Sequence, residues 1–192
     1  PAQTLEKAEN YLRSQLAGNK QDLSLDTRAY IVYVLRETKP SLSSYMANLF
    51  ERRFELSLES RAYLAMAMKD APGMESRAKK LSEELIGLVK KTATSAHWEE
   101  QKRDYYFIGS NITTTAVMLE MLNMFDDENP LIPEVVRYLM STRTDNHWPT
   151  TKDTSAVIKA ISAQLLDKKD QKVNKSYRLK LNGKFFGENN FT

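Results

Sequence analysis

The stretch Asp26-Thr27-Arg28-Ala29-Tyr30-Ile31-Val32-Tyr33-Val34-Leu35 opens with polar residues and then runs apolar around most of a helical circumference. The polar opening suits a helix N-terminus, where backbone N–H groups lack intrahelical partners and need oxygen acceptors. The apolar remainder suits a helix enclosed on several sides. Similar openings recur at Glu59-Ser60-Arg61-Ala62, Thr113-Thr114-Thr115-Ala116 and Asp153-Thr154-Ser155-Ala156. The small Ala in each permits close helix approach. Amphipathic helical segments lie between these four. Alternating inner and outer helices is the pattern of an α/α toroid or an α-solenoid. The repeat spacings of 33, 54 and 40 residues are too uneven for a strict solenoid such as a tetratricopeptide array.

Working outward from these segments, Leu5, Ala8, Leu12 and Leu16 form a stripe that predicts a helix over 3–17, stopped by Gly18-Asn19. Pro40 closes the helix that begins at Asp26 and Thr27. Residues 41–54 carry Leu42, Tyr45, Met46, Leu49 and Phe50 on one side. Residues 59–69 are nearly all apolar and end at Pro72-Gly73. A long amphipathic helix is expected over 74–93, with Leu81, Leu85, Leu88 and Val89 as its seam. Residues 95–111 read as irregular. Helix resumes over 113–125, turns at 126–130, and continues over 134–142 with Pro133 in its first turn. A loop over 145–151 leads to a last helix over 153–166. After a charged linker at 167–175 the period changes to two at Tyr177, Leu179 and Leu181, and Asn182-Gly183 reads as a hairpin turn. The expected fold is all-α: a partial α/α toroid of about eight helices, spanning 1–170, with a short β tail at 171–192.

The composition is that of a globular chain, with 41% hydrophobic and 28% charged residues. The 28 basic and 25 acidic residues are interspersed, which argues against a nucleic-acid footprint. With no cysteine, the chain cannot form a disulfide, a thiolate metal site or a cysteine nucleophile. No apolar run approaches the roughly 20 residues that span a bilayer. The chain opens at Pro1, and we read it as an excised piece whose export signal would lie outside it.

Four ordered segments carry a family likeness: His97-Trp98-Glu99, residues 111–122 (NITTTAVMLEML), residues 130–143 (PLIPEVVRYLMSTR) and residues 147–161 (HWPTTKDTSAVIKAI). This series resembles the later thioester-domain hairpins of bacterial alpha-2-macroglobulins and, more distantly, those of the complement thioester proteins. The family pattern is a Trp, a helix opening Thr-Thr-Ala, a Pro-x-Val-x-x-Leu helix ending in Arg, a loop ending Trp-x-Ser/Thr-Thr, and a helix opening Asp-Thr-Ala. The positions that match are Trp98, Thr114, Thr115, Ala116, Pro133, Arg143, Trp148, Thr151, Asp153 and Thr154, with Thr150 beside them. Asn146 and His147 replace the family's usual Gly, and Ser155 its usual Ala. The likeness covers 97–161; residues 3–94 agree in helical rhythm only.

The resemblance implies an α/α toroid within a bacterial protease-trapping (endopeptidase inhibitor) protein of the cell envelope. It implies a periplasmic or cell-surface location, with anchoring through the parent chain. Its partners would be target proteases, met by the full-length protein, and the rest of that chain: the missing toroid hairpins and β-domains. No nucleic acid and no direct membrane contact are expected. The family's reactive centre is Cys-x-Glu-Gln, which cyclises to a thioester; this chain has no Cys and cannot form it. The near-miss Trp98-Glu99-Glu100-Gln101 is rejected, because Trp cannot form a thioester. The tail from Ser176 resembles the strand that leads from this domain back into a β-domain.

No enzyme activity, cofactor or metal is expected, and each candidate site has a plainer reading. His97 and His147 lie too far apart in sequence to suggest a metal site and read as loop-packing residues. Asp126-Asp127-Glu128 is similar to the acidic motifs of terpene cyclases, and reads better as a solvated turn. Tyr105-Tyr106-Phe107 beside Lys102 and Arg103 reads as a covering loop rather than a nucleic-acid stacking surface. Met118, Met121 and Met124 read as core. Glu83-Glu84 and Glu99-Glu100 read as charged surface. The alternatives to the family reading are a generic helical-repeat interaction module and a toroid-fold enzyme of terpene-cyclase type.

Overall fold

The structure is a computed structural model that describes residues 2–18, 23–38, 42–100, 109–167, 175–181 and 184–191. Among these residues there are eight α-helices: α1 (Ala2–Ala17), α2 (Leu25–Val34), α3 (Ser43–Glu51), α4 (Leu58–Lys69), α5 (Glu75–Ile86), α6 (Asn111–Phe125), α7 (Leu131–Ser141) and α8 (Thr151–Asp167). A short 3-10 turn, Arg53–Glu55, follows α3. The chain divides into two compact units, Pro1–Ile161 and Ser162–Thr192.

The first unit is helical, and its helices alternate in character. In α4 and α6 nine residues each are buried, including Leu64, Met66 and Met68 of α4 and Met118, Leu119 and Met121 of α6. The outer helices bury one stripe only: Met46, Leu49 and Phe50 in α3, and Leu131, Ile132, Val135 and Leu139 in α7. Helix α2 packs on α4, and α4 packs on α6. Ala29, Ala62, Ala65 and Ala116 are fully buried in these inner helices and allow the backbones to approach. Helices α3, α5 and α7 back the inner layer as the second members of the hairpins. This is the all-α fold expected.

Several boundaries differ from the sequence reading. The helix expected over 74–93 ends at Ile86 with Gly87 as its C-cap, and the chain turns into β1 (Lys90–Lys91), which pairs antiparallel with β2 (Ala96–His97). The helix expected over 41–54 stops at Glu51, and its remainder tightens into the 3-10 turn. Only part of the α1 stripe is covered: Leu16 is buried and Leu12 packs on the core, whereas Leu5 is 66% exposed. The apolar segment in α2 is not enclosed all round either, since Tyr30 and Val34 are exposed. Gly73 takes a positive φ of 77° after α4, a conformation that glycine adopts without Cβ strain.

The second unit contains the antiparallel pair β3 (Lys175–Leu181) and β4 (Lys184–Phe191). Its register runs from Lys175↔Phe191 to Leu181↔Lys184 and shifts between Leu179 and Lys180. Asn182-Gly183 and most of the charged linker lie outside the described residues.

Candidate functional site

The four inner helices start with one shared device. In α2, α4, α6 and α8 a hydroxyl at the N-cap accepts a hydrogen bond from the backbone N–H three residues on. The pairs are Ser24–Thr27 (3.1 Å), Ser57–Ser60 (3.2 Å), Ser110–Thr113 (3.0 Å) and Thr150–Asp153 (3.0 Å). The outer helices α3, α5 and α7 carry no side-chain bond at their N-caps Leu42, Met74 and Pro130. The caps also correct the sequence alignment. Asp26 and Glu59 stand two residues after their caps, whereas Thr113 and Asp153 stand three after theirs. The recurring openings are therefore out of register by one between the first and second pair of inner helices.

A carboxylate joins each consecutive pair of inner N-termini. Asp26 Oδ1 accepts from the N–H (2.9 Å) and hydroxyl (3.0 Å) of Ser57, tying α2 to α4. Glu100 is buried and accepts from Leu58 N–H at 2.9 Å, while its own N–H donates to Asn111 Oδ1 at 3.1 Å, tying α4 to α6. Asp153, 1% exposed, accepts from Ser110 Oγ and Thr113 Oγ1 on one oxygen and from Thr150 Oγ1 on the other, tying α6 to α8. Burial acts to raise the Asp153 pKa, but the hydroxyls of Ser110, Thr150 and Thr113 outweigh it and the net shift is downward. The three inner steps thus share a rim of parallel helix N-termini, whose partial positive charge these carboxylates also offset. Glu100, which the sequence places on a charged surface, is instead the cap of a helix start 42 residues away in sequence.

Trp98 and Trp148 repeat one another in detail. Each indole Nε1 donates at 2.7 Å to a carbonyl near the end of the preceding outer helix: Leu85 in α5 and Leu139 in α7. Each Trp backbone N–H donates to a threonine hydroxyl of the following inner helix: Thr115 at 3.1 Å and Thr154 at 3.3 Å. Each is preceded by a histidine in a β-type pairing, His97 in β2 and His147 in the bridge to Thr144. His97 stacks on Tyr138 at 4.4 Å, and His147 Nδ1 donates to the Trp148 carbonyl at 3.0 Å. Arg143 lies over the Trp148 ring and donates to Asn146 Oδ1 at 2.7 Å. Asn146 has a φ of 75°, the left-handed conformation that explains a glycine preference there and which Asn tolerates better than most residues.

The first pair of inner helices uses a different lock. Arg28 Nε donates to Leu23 O (3.3 Å), and Arg61 Nε donates to Leu56 O (3.2 Å). These arginines belong to a longer repeat, Leu-Ser-Leu-x-x-Arg-Ala-Tyr, at residues 23–30 and 56–63. Extending the four-residue openings in both directions would have found it.

Two further links join α8 to the inner layer. Lys152 pairs with Glu59 of α4 at 3.1 Å, and Lys159 pairs with Glu120 of α6 at 2.8 Å. Lys159 also reaches Tyr33 OH at 3.4 Å, beside the ring cluster of Tyr30, Tyr33 and Tyr63. Burial raises the Tyr63 pKa strongly, and the neighbouring Glu59 and Glu120 charges add to it. These contacts neutralise both carboxylates and leave the tyrosine protonated, an arrangement suited to holding helices rather than to moving protons.

The family-motif positions fall into two groups. Trp98, Thr114, Thr115, Ala116, Trp148 and Asp153 are buried and Thr154 is half-buried, while Pro133, Arg143 and Thr151 are exposed. The Asp126-Asp127-Glu128 carboxylates are exposed in the turn after α6, where Asp126 accepts from Asn129 Nδ2 at 3.1 Å. Met118 and Met121 are core. Glu84, read as plain surface, forms a two-bonded pair with Arg53 at 2.8 and 3.0 Å; those bonds hold its carboxyl below the usual range. Gln101 and the Lys102–Phe107 segment lie outside the described residues. Among the described residues, no three His, Asp or Glu side chains are grouped as a metal site would need, and no helix is long and apolar enough to cross a membrane. The chain matches no protein-family model and no curated protein.

Proposed function

We propose that this chain is the later part of the helical thioester domain of a bacterial alpha-2-macroglobulin-like protein, and that it serves that protein as a structural and interaction element. The observation that carries this reading is the twofold Trp device. Trp98 with Thr115, and Trp148 with Thr154 and Asp153, are the positions on which the family likeness rests, and here they fix outer helix, loop and inner helix in both hairpins. A motif that holds hairpins in register is what a toroid needs, and its side chains are occupied in doing so. The chain itself carries no thioester, since it has no cysteine. Protease trapping, the endopeptidase-inhibitor role, would belong to the full-length protein at the periplasmic or outer cell surface.

The test is the size and place of the protein in its cells, read with an antibody raised against this chain. The proposal expects an envelope-associated species several times larger than 22.1 kDa, and expects it to slow protease action on large substrates more than on small peptides. A cytosolic species of about this chain's own mass contradicts the proposal.

A further inference from the structure

The shared N-cap register sets Asp153, Val157, Ile158, Lys159 and Ser162 of α8 against Thr113, Val117, Met118, Leu119 and Leu122 of α6. All five α6 residues are buried. In α8, Asp153 and Val157 are buried too, but Ile158 is 54% exposed and Lys159 and Ser162 are also exposed. Among the described side chains of α8, Ala160 alone is buried besides these. The two helices thus start alike, and α8 buries far less apolar surface, so less hydrophobic free energy holds it down. Polar clasps supply the rest. Asp153 accepts from the Ser110 and Thr113 hydroxyls of α6, and the Lys152–Glu59 and Lys159–Glu120 pairs reach α4 and α6. The two lysine side chains are 46% and 56% exposed, and ion pairs so open to solvent are worth little. Trp148 is anchored separately, through its indole on the Leu139 carbonyl of α7, and the exposed Pro149 and Thr150 stand between it and α8.

We propose that α8 is a strap: over residues 151–161 it lifts as one unit from α4 and α6, turning at Pro149 and Thr150, while α2 to α7 stay folded and Trp148 keeps its seat on α7. Lifting breaks the three clasps and the Trp148 N–H bond to Thr154 together, and it uncovers the Glu59 and Glu120 carboxylates. A segment with few buried apolar contacts opens locally at a smaller cost than the whole fold. The clasps act as a group, because each of them joins α8 to the layer beneath and none survives when α8 has left it.

The test is native-state hydrogen exchange of the whole chain, read residue by residue by NMR at rising sub-denaturing urea. The amides of residues 156–161 should share one opening, at least about tenfold more populated than the opening that exposes Leu64 and Met68 of α4. Its urea dependence should be shallower, because less surface is bared. Arg28→Ala weakens a lock that stays closed when the strap lifts. It speeds exchange in α4 about fivefold and leaves α8 unchanged. Glu120→Lys turns one clasp into a repulsion and speeds exchange in α8 about fivefold or more, and adding Lys159→Glu restores it. Three results overturn the proposal: α8 and α4 amides sharing one opening and one urea slope, protection that decays steadily along α8 as in end-fraying, or an α8 rate that follows Arg28→Ala as closely as α4 does. An α8 rate indifferent to Glu120→Lys overturns it too. None of these results bears on the family reading, which rests on the Trp loops.

Discussion

The two pairs of inner helices begin with the same N-cap and then differ. In α2 and α4 an arginine of the helix itself reaches back five residues to a carbonyl of the short loop before it. In α6 and α8 a loop tryptophan reaches across, bonding the outer helix through its indole and the inner helix through its backbone. The difference follows loop length. The Arg lock sits where residues 18–24 and 52–57 join the helices, and the Trp lock where the longer segments 87–110 and 142–150 do. A short connection fixes the crossing by itself and needs only its own carbonyl satisfied. A longer one leaves the two helices less constrained, and an anchor that touches both restores the register.

That contrast is broken most sharply by deleting the anchors. Trp98→Ala removes a side chain with no exposed surface and its indole hydrogen bond to the Leu85 carbonyl, and costs about 3–5 kcal/mol of unfolding free energy in urea denaturation. Trp148→Ala costs less, about 2–3 kcal/mol, because that ring keeps an exposed edge. Removing an Arg lock, as in Arg28→Ala, costs about 1 kcal/mol, the worth of an ordinary hydrogen bond. Losses of equal size at tryptophans and arginine would erase the distinction between the two halves.

Asp153 sharpens it further. Its folded pKa lies below the unfolded value of about 3.9. The sign of the linkage follows: the stabilisation is fully present above the unfolded pKa and is lost as pH falls through the folded one. Asp153→Asn destabilises the chain by about 1–3 kcal/mol at pH 7. It also makes the loss of stability below about pH 4 shallower than in the unaltered chain, as read from thermal melts across pH. An unchanged acid slope in the variant contradicts the assignment of Asp153 as the α6–α8 clasp.

The caps carry effects of about the size of an arginine lock. Ser24→Ala costs about 1 kcal/mol. Ser57→Ala and Ser110→Ala cost somewhat more, because those hydroxyls also donate to the carboxylates of Asp26 and Asp153. Four equal losses across Ser24, Ser57, Ser110 and Thr150 would mean that the carboxylate links add nothing.

The helices were legible because their causes are local. Polar helix openings, alternating enclosed and amphipathic segments, and Pro-Gly stops all act within a few residues. The Trp-Thr and Asp-Thr positions stand out in the sequence as a recurring pattern, though their pairwise equivalence does not. What the sequence hid is set mostly by partners distant along the chain. Glu100 looks like half of a surface acidic pair until α4 places Leu58 N–H beside it. The α5 helix ends early because Lys90–Lys91 pairs with Ala96–His97, a local choice that the Leu88 and Val89 seam disguises. Tyr30 and Val34 look enclosed by composition, and the structure leaves them open because, among the described residues, no helix lies where α4 has α2.

Trp98 and Trp148 are one device used twice, and Trp→Phe substitution at each is the decisive check of that equivalence. Phenylalanine keeps an aromatic filler but cannot donate to the Leu85 or Leu139 carbonyl. Both substitutions should lower the unfolding free energy by similar amounts, about 1–2 kcal/mol each. A loss at one position with none at the other would contradict the equivalence.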